Sequence, residues 1–323
     1  MPRTAARWRS VVWQIAAVAS VVLLVWFFAG NTVHNMRARG IQSGFDFLAQ
    51  PAGFDISESP IAFDAARTYS RAFVVGLFNT LRVAAVAIVL TTLLGTLLGI
   101  GRFSGSVLVR GLCQAYVEFF RNTPLLLQLL MGYLLMTELL PAPNAAWQAG
   151  PFFLSKGGFN VPWPVGLASL QFDLPHHGAF AIEGGAALSP EFMAVMLGLT
   201  TYTAAFVAEI VRAGIRSVPR GQIEAAAALG LSPGRTLRLV TLPQALRVIV
   251  PPLTNQFLNV TKNSSLAVAI GYPELVSIAN TSLNQTGRAV ECIAIVMAMY
   301  LALSLATSAL MNRYNARALI RER

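Results

Sequence analysis

The chain has 323 residues, a formal net charge of +10, and a composition that is 55% hydrophobic but only 12% charged. Soluble globular proteins carry roughly 25% charged residues, so about half of the usual charge is missing. The apolar residues fall into blocks about 20 residues long, the length that a helix needs to cross roughly 30 Å of hydrocarbon. These properties exclude a soluble globular protein and indicate a polytopic membrane protein.

The net charge and the few reactive side chains exclude several functions. Nucleic-acid binding would explain +10 in a soluble protein, but here the basic residues sit at the ends of apolar blocks, as the positive-inside rule expects. Cys113 and Cys292 lie outside any CxxC motif, and His34, His176 and His177 have no ligand spacing with carboxylates. We therefore expect no nucleic acid, no metal, no cofactor and no catalytic residues.

Six apolar blocks predict six membrane spans. The first, at 11–30, is too long for the apolar region of a signal peptide, which has about 7–15 residues. In the second, Thr91, Gly95 and Gly99 recur every fourth residue, which is typical of a face on which another helix packs closely. The later spans are predicted at about 83–101 (with an amphipathic lead-in at 69–82), 113–140, 192–215, 247–270 and 289–311.

Charge predicts the orientation of these spans. If the amino terminus is inside, the inner segments 1–10, 101–112, 212–247 and 312–323 hold fifteen basic residues, and the outer segments 31–72, 140–190 and 271–288 hold six. Because basic residues concentrate on the cytoplasmic side, both termini are expected to be cytoplasmic. The predicted fold is an all-α transmembrane bundle of about six spans.

The inner segment 217–243 between the fourth and fifth spans has its own pattern. The stretch 222–229 consists mostly of strong helix-forming residues, and Gly230 is expected to end that helix. Ser232 and Pro233 then suit the cap and first turn of a second helix, and Pro243 marks the start of the next element. We expect two short helices joined by a glycine turn on the cytoplasmic face.

The spacing within this segment resembles a known family. Glu224-Ala225-Ala226, Gly230 and Leu242-Pro243 are spaced as in the EAA loop of ABC importer permeases. Residues 116–128 and 208–215 resemble the polar amino-acid permeases, and 39–48 with 52–56 resemble the Q-type subunit of general L-amino-acid and glutamate/glutamine permeases. Such subunits tend to carry a longer insert after the third span, where this chain has a polar, Pro/Gly-rich segment at 140–190.

The resemblance implies a type I ABC importer permease in the bacterial inner membrane that carries L-amino acids, glutamate or glutamine among them, by alternating access. It implies an extra amino-terminal helix and periplasmic segment at 1–72 and a permease domain at 73–323. The expected partners are a cytoplasmic ATPase dimer, a second permease subunit in a pseudo-symmetric heterodimer, a periplasmic amino-acid-binding protein and membrane lipid. The chain is then no enzyme, and its lack of GxxxxGK[ST] agrees with ATP hydrolysis by a separate subunit.

The resemblance also marks an ATPase-coupling loop, because in that family the EAA loop docks into a groove of the ATPase. The residues concerned are Glu224, Ala225, Ala226, Gly230, Leu242 and Pro243.

A polar face on the fifth span is the candidate substrate path. Asn255, Asn259 and Lys262 fall at i, i+4 and i+7, with Asn263 beside them. A charge near mid-membrane costs at least about 2.5–3.5 kcal/mol, so Lys262 should face protein or water. Either this face lines a cavity for a zwitterionic substrate with Lys262 near a carboxylate, or Lys262 pairs with a neighbouring helix and the asparagines hold helices together.

Other polar residues in the spans are weaker candidates. Glu209 is a candidate for the path, but it lies three residues before Arg212, and a local pair is the simpler interpretation. Glu118 and Arg121 are also explained by a pair within one helix, and the stripe of Tyr300, Ser304 and Thr307 by packing. A secondary transporter is disfavoured because the Lys262 segment has no repeat in the first half.

Overall fold

The computed structural model describes residues 3–38, 40, 43–165, 171–178 and 181–318, and side chains among these except at 3–10, 37 and 314–318. Part of the amino-terminal resemblance (39, 41 and 42) and the last five residues, 319–323, lie outside that description. The helices are α1 Arg3–Ala38, α2 Tyr69–Gly101, α3 Val107–Asn122, α4 Leu125–Leu139, α5 Pro190–Arg216, α6 Arg220–Ala228, α7 Pro233–Thr236, α8 Leu242–Asn263, α9 Leu275–Thr286 and α10 Ala289–Ala318. Short 3₁₀ turns occur at Asp46–Ala49, Pro143–Ala145 and Ser264–Ile270, and a π turn occurs at Leu237–Thr241.

Helices α2 and α5 form the centre of the bundle. A Cβ atom added to Gly95 would lie 2.5 Å from Cβ of Val207, and one added to Gly99 would lie 2.9 Å from the carbonyl oxygen of Ala208. Thr91 donates a hydrogen bond to the carbonyl of Thr200 at 3.4 Å. The predicted small-residue face on α2 is therefore confirmed, and α5 is the helix that packs on it.

Three larger apolar clusters and a smaller one hold the helices together. The first joins α2, α4, α5, the carboxy-terminal end of α8 and the turn after it. The second joins the 43–68 segment to α2, α9 and α10, and the third joins the carboxy-terminal half of α5 to the amino-terminal half of α8. The smaller cluster joins α3 to α5. Their buried members include Val83, Leu129, Leu199, Val260 and Tyr272 in the first, Phe47, Phe73 and Leu275 in the second, and Val211, Ala245 and Ile249 in the third.

The segment 43–68 is fixed by charge to α2, to the start of α5 and to the junction between α9 and α10. Arg288 binds Asp46, with Nη2 and Oδ2 3.0 Å apart. Glu58 binds Arg82 of α2 and accepts a hydrogen bond from Ser189, the N-cap residue of α5. By contrast, the apolar stretch Val11–Met36 of α1 buries no residue against the rest of the chain.

The spans partly differ from the prediction. Within the described residues, four helices are long and apolar enough to cross a membrane, and a fifth follows if residues 233–286, bent by 49°, count as one span. The predicted continuous helix at 113–140 is wrong, because Pro124 places Thr123 in an extended conformation and separates α3 from α4. Helix α4 has 15 residues, about 22 Å at 1.5 Å per residue, so the count of six spans remains a prediction.

The polar segment between α4 and α5 contains short strands that the all-α prediction did not include. The strands are β1 Trp147–Ala149, β2 Phe152–Ser155, β3 Gly158–Val161, β4 Trp163–Pro164, β5 Phe172–Asp173, β6 His176–His177, β7 Ile182–Glu183 and β8 Ala186–Leu188. An antiparallel sheet has the order β1-β2-β3-β8, while β4 pairs with β5 and β6 with β7. The described strands have two to four residues, too few for the period-two alternation that reveals a strand in a sequence.

Candidate functional site

The loop between α5 and α8 forms the predicted pair of short helices, α6 and α7. Gly230 has φ +74°, and its N–H donates to the carbonyl of Ala227 at 2.9 Å. The N–H of Leu231 donates to the carbonyl of Ala226 at 3.1 Å. These two bonds define a Schellman motif, which requires a left-handed residue after the helix. Ser232 and Pro233 then start α7, so the predicted hairpin is confirmed.

The two alanines of the loop have different surroundings. Ala226 is only 3% exposed and is buried within the hairpin, whereas Ala225 and Glu224 are exposed. Leu229 is 82% exposed at the tip of the loop. The packing of the hairpin itself therefore explains the small side chain at Ala226, whereas Ala225 has no such packing constraint.

The loop continues directly into the helix of the fifth span. Leu242 begins α8, and Pro243 lies in its first turn, directly after the π turn Leu237–Thr241. Residues 233–270 run without a sharp bend through α7, the π turn, α8 and the following 3₁₀ turn. The second helix of the hairpin, α7, and the predicted polar face therefore lie on one continuous helical rod.

The polar face of α8 is open in this chain. Asn255, Asn259 and Lys262 are exposed and Asn263 is half-buried, whereas Val260 is fully buried in the bundle. Lys262 forms no ion pair with the residues that the structure describes. The arrangement presents one ammonium group and several amides on the outside of this subunit, which suits a polar, carboxylate-bearing ligand or a second protein chain.

Glu209 belongs to a cluster of arginines from three helices. Its carboxylate binds Arg102 at the end of α2 and Arg212 of α5, and Nη1 of Arg121 in α3 lies 3.7 Å from Oε1. The predicted local pair with Arg212 is confirmed, and two partners were missed. Arg121 pairs with Glu209 and not with Glu118, so the predicted pair within α3 is wrong because Glu118 points to the exposed side of the helix.

A second polar group, at the break between α8 and α9, was missed. Glu274 is fully buried and caps α9 by accepting hydrogen bonds from the N–H groups of Val276 and Ser277, both at 2.8 Å. Tyr300, which was expected only to pack, donates to Glu274 at 3.2 Å. Asn79 of α2 donates to the carbonyl of Pro273 at 2.9 Å. The Gly-Tyr-Pro-Glu run at 271–274 was the available signal for this turn.

Comparisons with known proteins agree with this geometry. Residues 91–321 match the family model described as "Binding-protein-dependent transport system inner membrane component". The general L-amino acid transport system permease protein AapQ of Rhizobium johnstonii is 41% identical, over 98% of this chain and 94% of that protein. The glutamate/glutamine/aspartate/asparagine transport system permease protein BztB of Rhodobacter capsulatus is 36% identical, over 98% and 95%. A crystal structure of an amino acid ABC transporter with histidines superposes with a TM-score of 0.59 at 28% identity, over 77% of this chain and 95% of that one.

Proposed function

The chain belongs to the family of inner membrane components of binding-protein-dependent transport systems, and from that premise we propose that it carries L-amino acids inward along the Asn255–Asn259–Lys262 face of α8. It is the membrane-spanning permease subunit of an ATP-binding-cassette importer with the type I permease fold. It is a transport subunit of the inner membrane, and a separate ATPase subunit hydrolyses ATP. An ATPase and a binding protein are its partners.

The substrate class is supported by the polar face. Lys262 is exposed, and within the described residues no carboxylate neutralises it. Such a charge on a membrane helix needs water or an anionic partner, and the α-carboxylate common to all amino acids supplies one. The neighbouring asparagine amides donate and accept hydrogen bonds, which suits polar side chains. The exposure of Lys262 is the observation that carries the proposal.

A second permease subunit completes the path in this proposal, because the polar face points away from its own chain. ATP-driven closure of the ATPases draws the coupling loops together and opens the cavity outward, and hydrolysis resets it. The movement is a rigid-body rocking between two states, each stabilised by different ligands. The exposed Glu224, Ala225 and Leu229 are the groups that dock onto the ATPase.

Lys262→Met tests the substrate path, because methionine keeps most of the bulk of the lysine stem without its charge. The complete transporter is reconstituted in vesicles with its ATPase and binding protein, and uptake of several L-amino acids is measured. Uptake should fall roughly tenfold for every substrate, as expected for loss of one charged hydrogen bond, while the amount of assembled complex stays unchanged. Lys156→Met is the matched control, because Lys156 is the other lysine of the chain and is exposed in the turn between β2 and β3. Normal uptake by Lys262→Met would return this residue to a structural role.

The orientation is also part of the proposal, because it rests on the distribution of basic residues. A reporter fused after residue 323 should be cytoplasmic, and one inserted at Gly150 should be periplasmic. Gly150 lies in an exposed turn between β1 and β2, and an added Cβ there meets nothing within 4 Å. A periplasmic carboxy terminus would exclude the six-span arrangement.

A further inference from the structure

Helix α8 contains two prolines in its interior, Pro251 and Pro252. Neither has an N–H group, so two successive positions donate nothing to the helical hydrogen-bond ladder, and each ring crowds the preceding turn. Both side chains are exposed, and neither belongs to an apolar cluster among the described residues. Packing within this subunit therefore does not explain them, and their effect is on the backbone of α8.

The prolines separate two differently anchored halves of the helix. The inner half is held by Ile249, which packs so closely on α5 that a Cβ added to Gly214 would lie 2.3 Å from its Cγ1. The outer half is held by Val260, which is buried in the cluster formed by α2, α4 and α5. The pair of prolines lies between these two anchors, and Leu253, which follows the pair, packs at the edge of the cluster that contains Ile249.

A second irregularity lies at the inner end of the same rod. The π turn Leu237–Thr241 joins the coupling loop to α8, and isolated π turns are rare and occur frequently at functional sites. The regular part of α8 is thus divided into two stretches. One lies between the π turn and the prolines, and the other carries Asn255, Asn259 and Lys262.

We propose that Pro251 and Pro252 form a flexible joint that converts movement of the coupling loop into a change in the angle of the polar face. The prolines are positioning residues, since they act through α8. Loss of two ladder bonds makes bending at this point cheap, while each half stays fixed in its own apolar cluster. The inference rests on the proposed function, because the polar face has to line the substrate path for its angle to affect transport.

The double variant Pro251→Ala/Pro252→Ala tests the joint in the reconstituted transporter. Alanine restores both N–H groups and stiffens the helix. Uptake should fall roughly tenfold, within the range of ordinary coupling effects, while ATPase activity stimulated by the loaded binding protein persists, because the docking surface is unchanged. The number of ATP molecules hydrolysed per imported amino acid therefore rises. Pro190→Ala is the control and should transport normally. Pro190 lies in the first turn of α5, where the backbone N–H groups have no helical partner, so the proline costs no hydrogen bond.

The variant Pro251→Gly/Pro252→Gly separates flexibility from simple disturbance of the helix. Glycine also restores the N–H groups but leaves the backbone flexible, so uptake should recover well above that of the alanine pair. The joint would be overturned if the alanine variant kept the coupling of the parent protein. It would also be overturned if the glycine variant took up substrate as poorly as the alanine variant.

A distance measurement distinguishes failure of the joint from failure of the substrate path. Spin labels at Gly234 and Ala269, both exposed, report the end-to-end length of the rod. The background carries Cys113→Ala, since Cys292 is buried. The distance should differ between the nucleotide-free and ATP-trapped complexes of the parent, and should stay constant in the alanine pair. This result does not depend on Lys262, and an unchanged distance in the parent would overturn the joint.

Discussion

Arg212 donates from Nη2 to Oε2 of Glu209 at 2.7 Å, and this pair is one part of a cluster that joins three helices. Arg102 binds the other carboxylate oxygen from the end of α2, and Arg121 approaches it from α3. Because both oxygens already have partners, Glu209 has little capacity left to bind a substrate. The arrangement favours a role in fixing the carboxy-terminal parts of α2, α3 and α5 to one another.

Glu209→Gln should therefore destabilise the protein without changing how it handles substrate. The amide cannot neutralise the arginines, and losing a charged hydrogen bond at a partly buried site costs about 2 kcal/mol. We expect a lower unfolding temperature in detergent and normal uptake per folded complex. Glu118→Gln is the matched control, since Glu118 is exposed and has no ion-pair partner within the described residues. A raised KM with unchanged stability would instead place Glu209 on the substrate path.

Asp46→Asn should reveal a pH-dependent contact at the outer end of the bundle. Its hydrogen bond from Arg288 holds the pKa of the Asp46 carboxyl below its ordinary value of 3.8. Because the pKa is lower in the folded than in the unfolded protein, the ion pair stabilises the fold fully at pH values above 3.8. This stabilisation disappears as the pH falls through the lower pKa of the folded state. The parent should thus be slightly more stable than the variant near neutral pH, and the difference should vanish in strong acid.

Unfolding temperatures of both proteins across this pH range measure the effect. The contribution is small because the carboxylate is largely exposed. Asp55→Asn is the matched control, because it removes an exposed carboxylate of the same segment that forms no ion pair within the described residues. A difference between Asp46→Asn and the parent that persists below the folded-state pKa would mean that the ion pair is not its cause.

Local patterns in the sequence predicted the local structure. The α6–α7 hairpin depends on Gly230, Ser232 and Pro233, whose conformational preferences act within a few residues. The face formed by Asn255, Asn259 and Lys262 follows from helical spacing alone. The break at Thr123–Pro124 was also readable from the proline, but the apolar run after it concealed the break.

Contacts between distant residues were not predictable from one sequence. Arg102 lies 107 positions from Glu209, and Arg288 lies 242 positions from Asp46. Spacing reveals only partners within a helix turn or two, so the nearby Arg212 was assigned correctly and the two distant arginines, Arg102 and Arg121, were missed. The burial of Ala226 was missed for a similar reason, since it depends on the return of α7 against α6.

Ala225→Trp should uncouple ATP hydrolysis from import. Ala225 is exposed on the proposed docking surface, so a large side chain there excludes the ATPase while leaving the hairpin intact. We expect the complex to assemble poorly or to hydrolyse ATP without uptake in reconstituted vesicles. Ala226→Trp is a less specific test, because Ala226 is buried and the change disrupts the hairpin itself. Normal coupled transport by Ala225→Trp would contradict docking through this face.

Gly230→Ala should weaken coupling through the backbone alone. Gly230 has φ +74°, and an added Cβ meets no atom within 4 Å, so steric contact with neighbours is not involved. A left-handed conformation costs an L-residue other than glycine about 1–2 kcal/mol, which strains the turn between α6 and α7 and shifts the docking surface. Gly221→Ala is the control, because Gly221 has an ordinary helical conformation and equally open surroundings. ATPase activity stimulated by the loaded binding protein should therefore fall in Gly230→Ala and stay normal in Gly221→Ala, and equal activities would show that the left-handed turn is not needed for coupling.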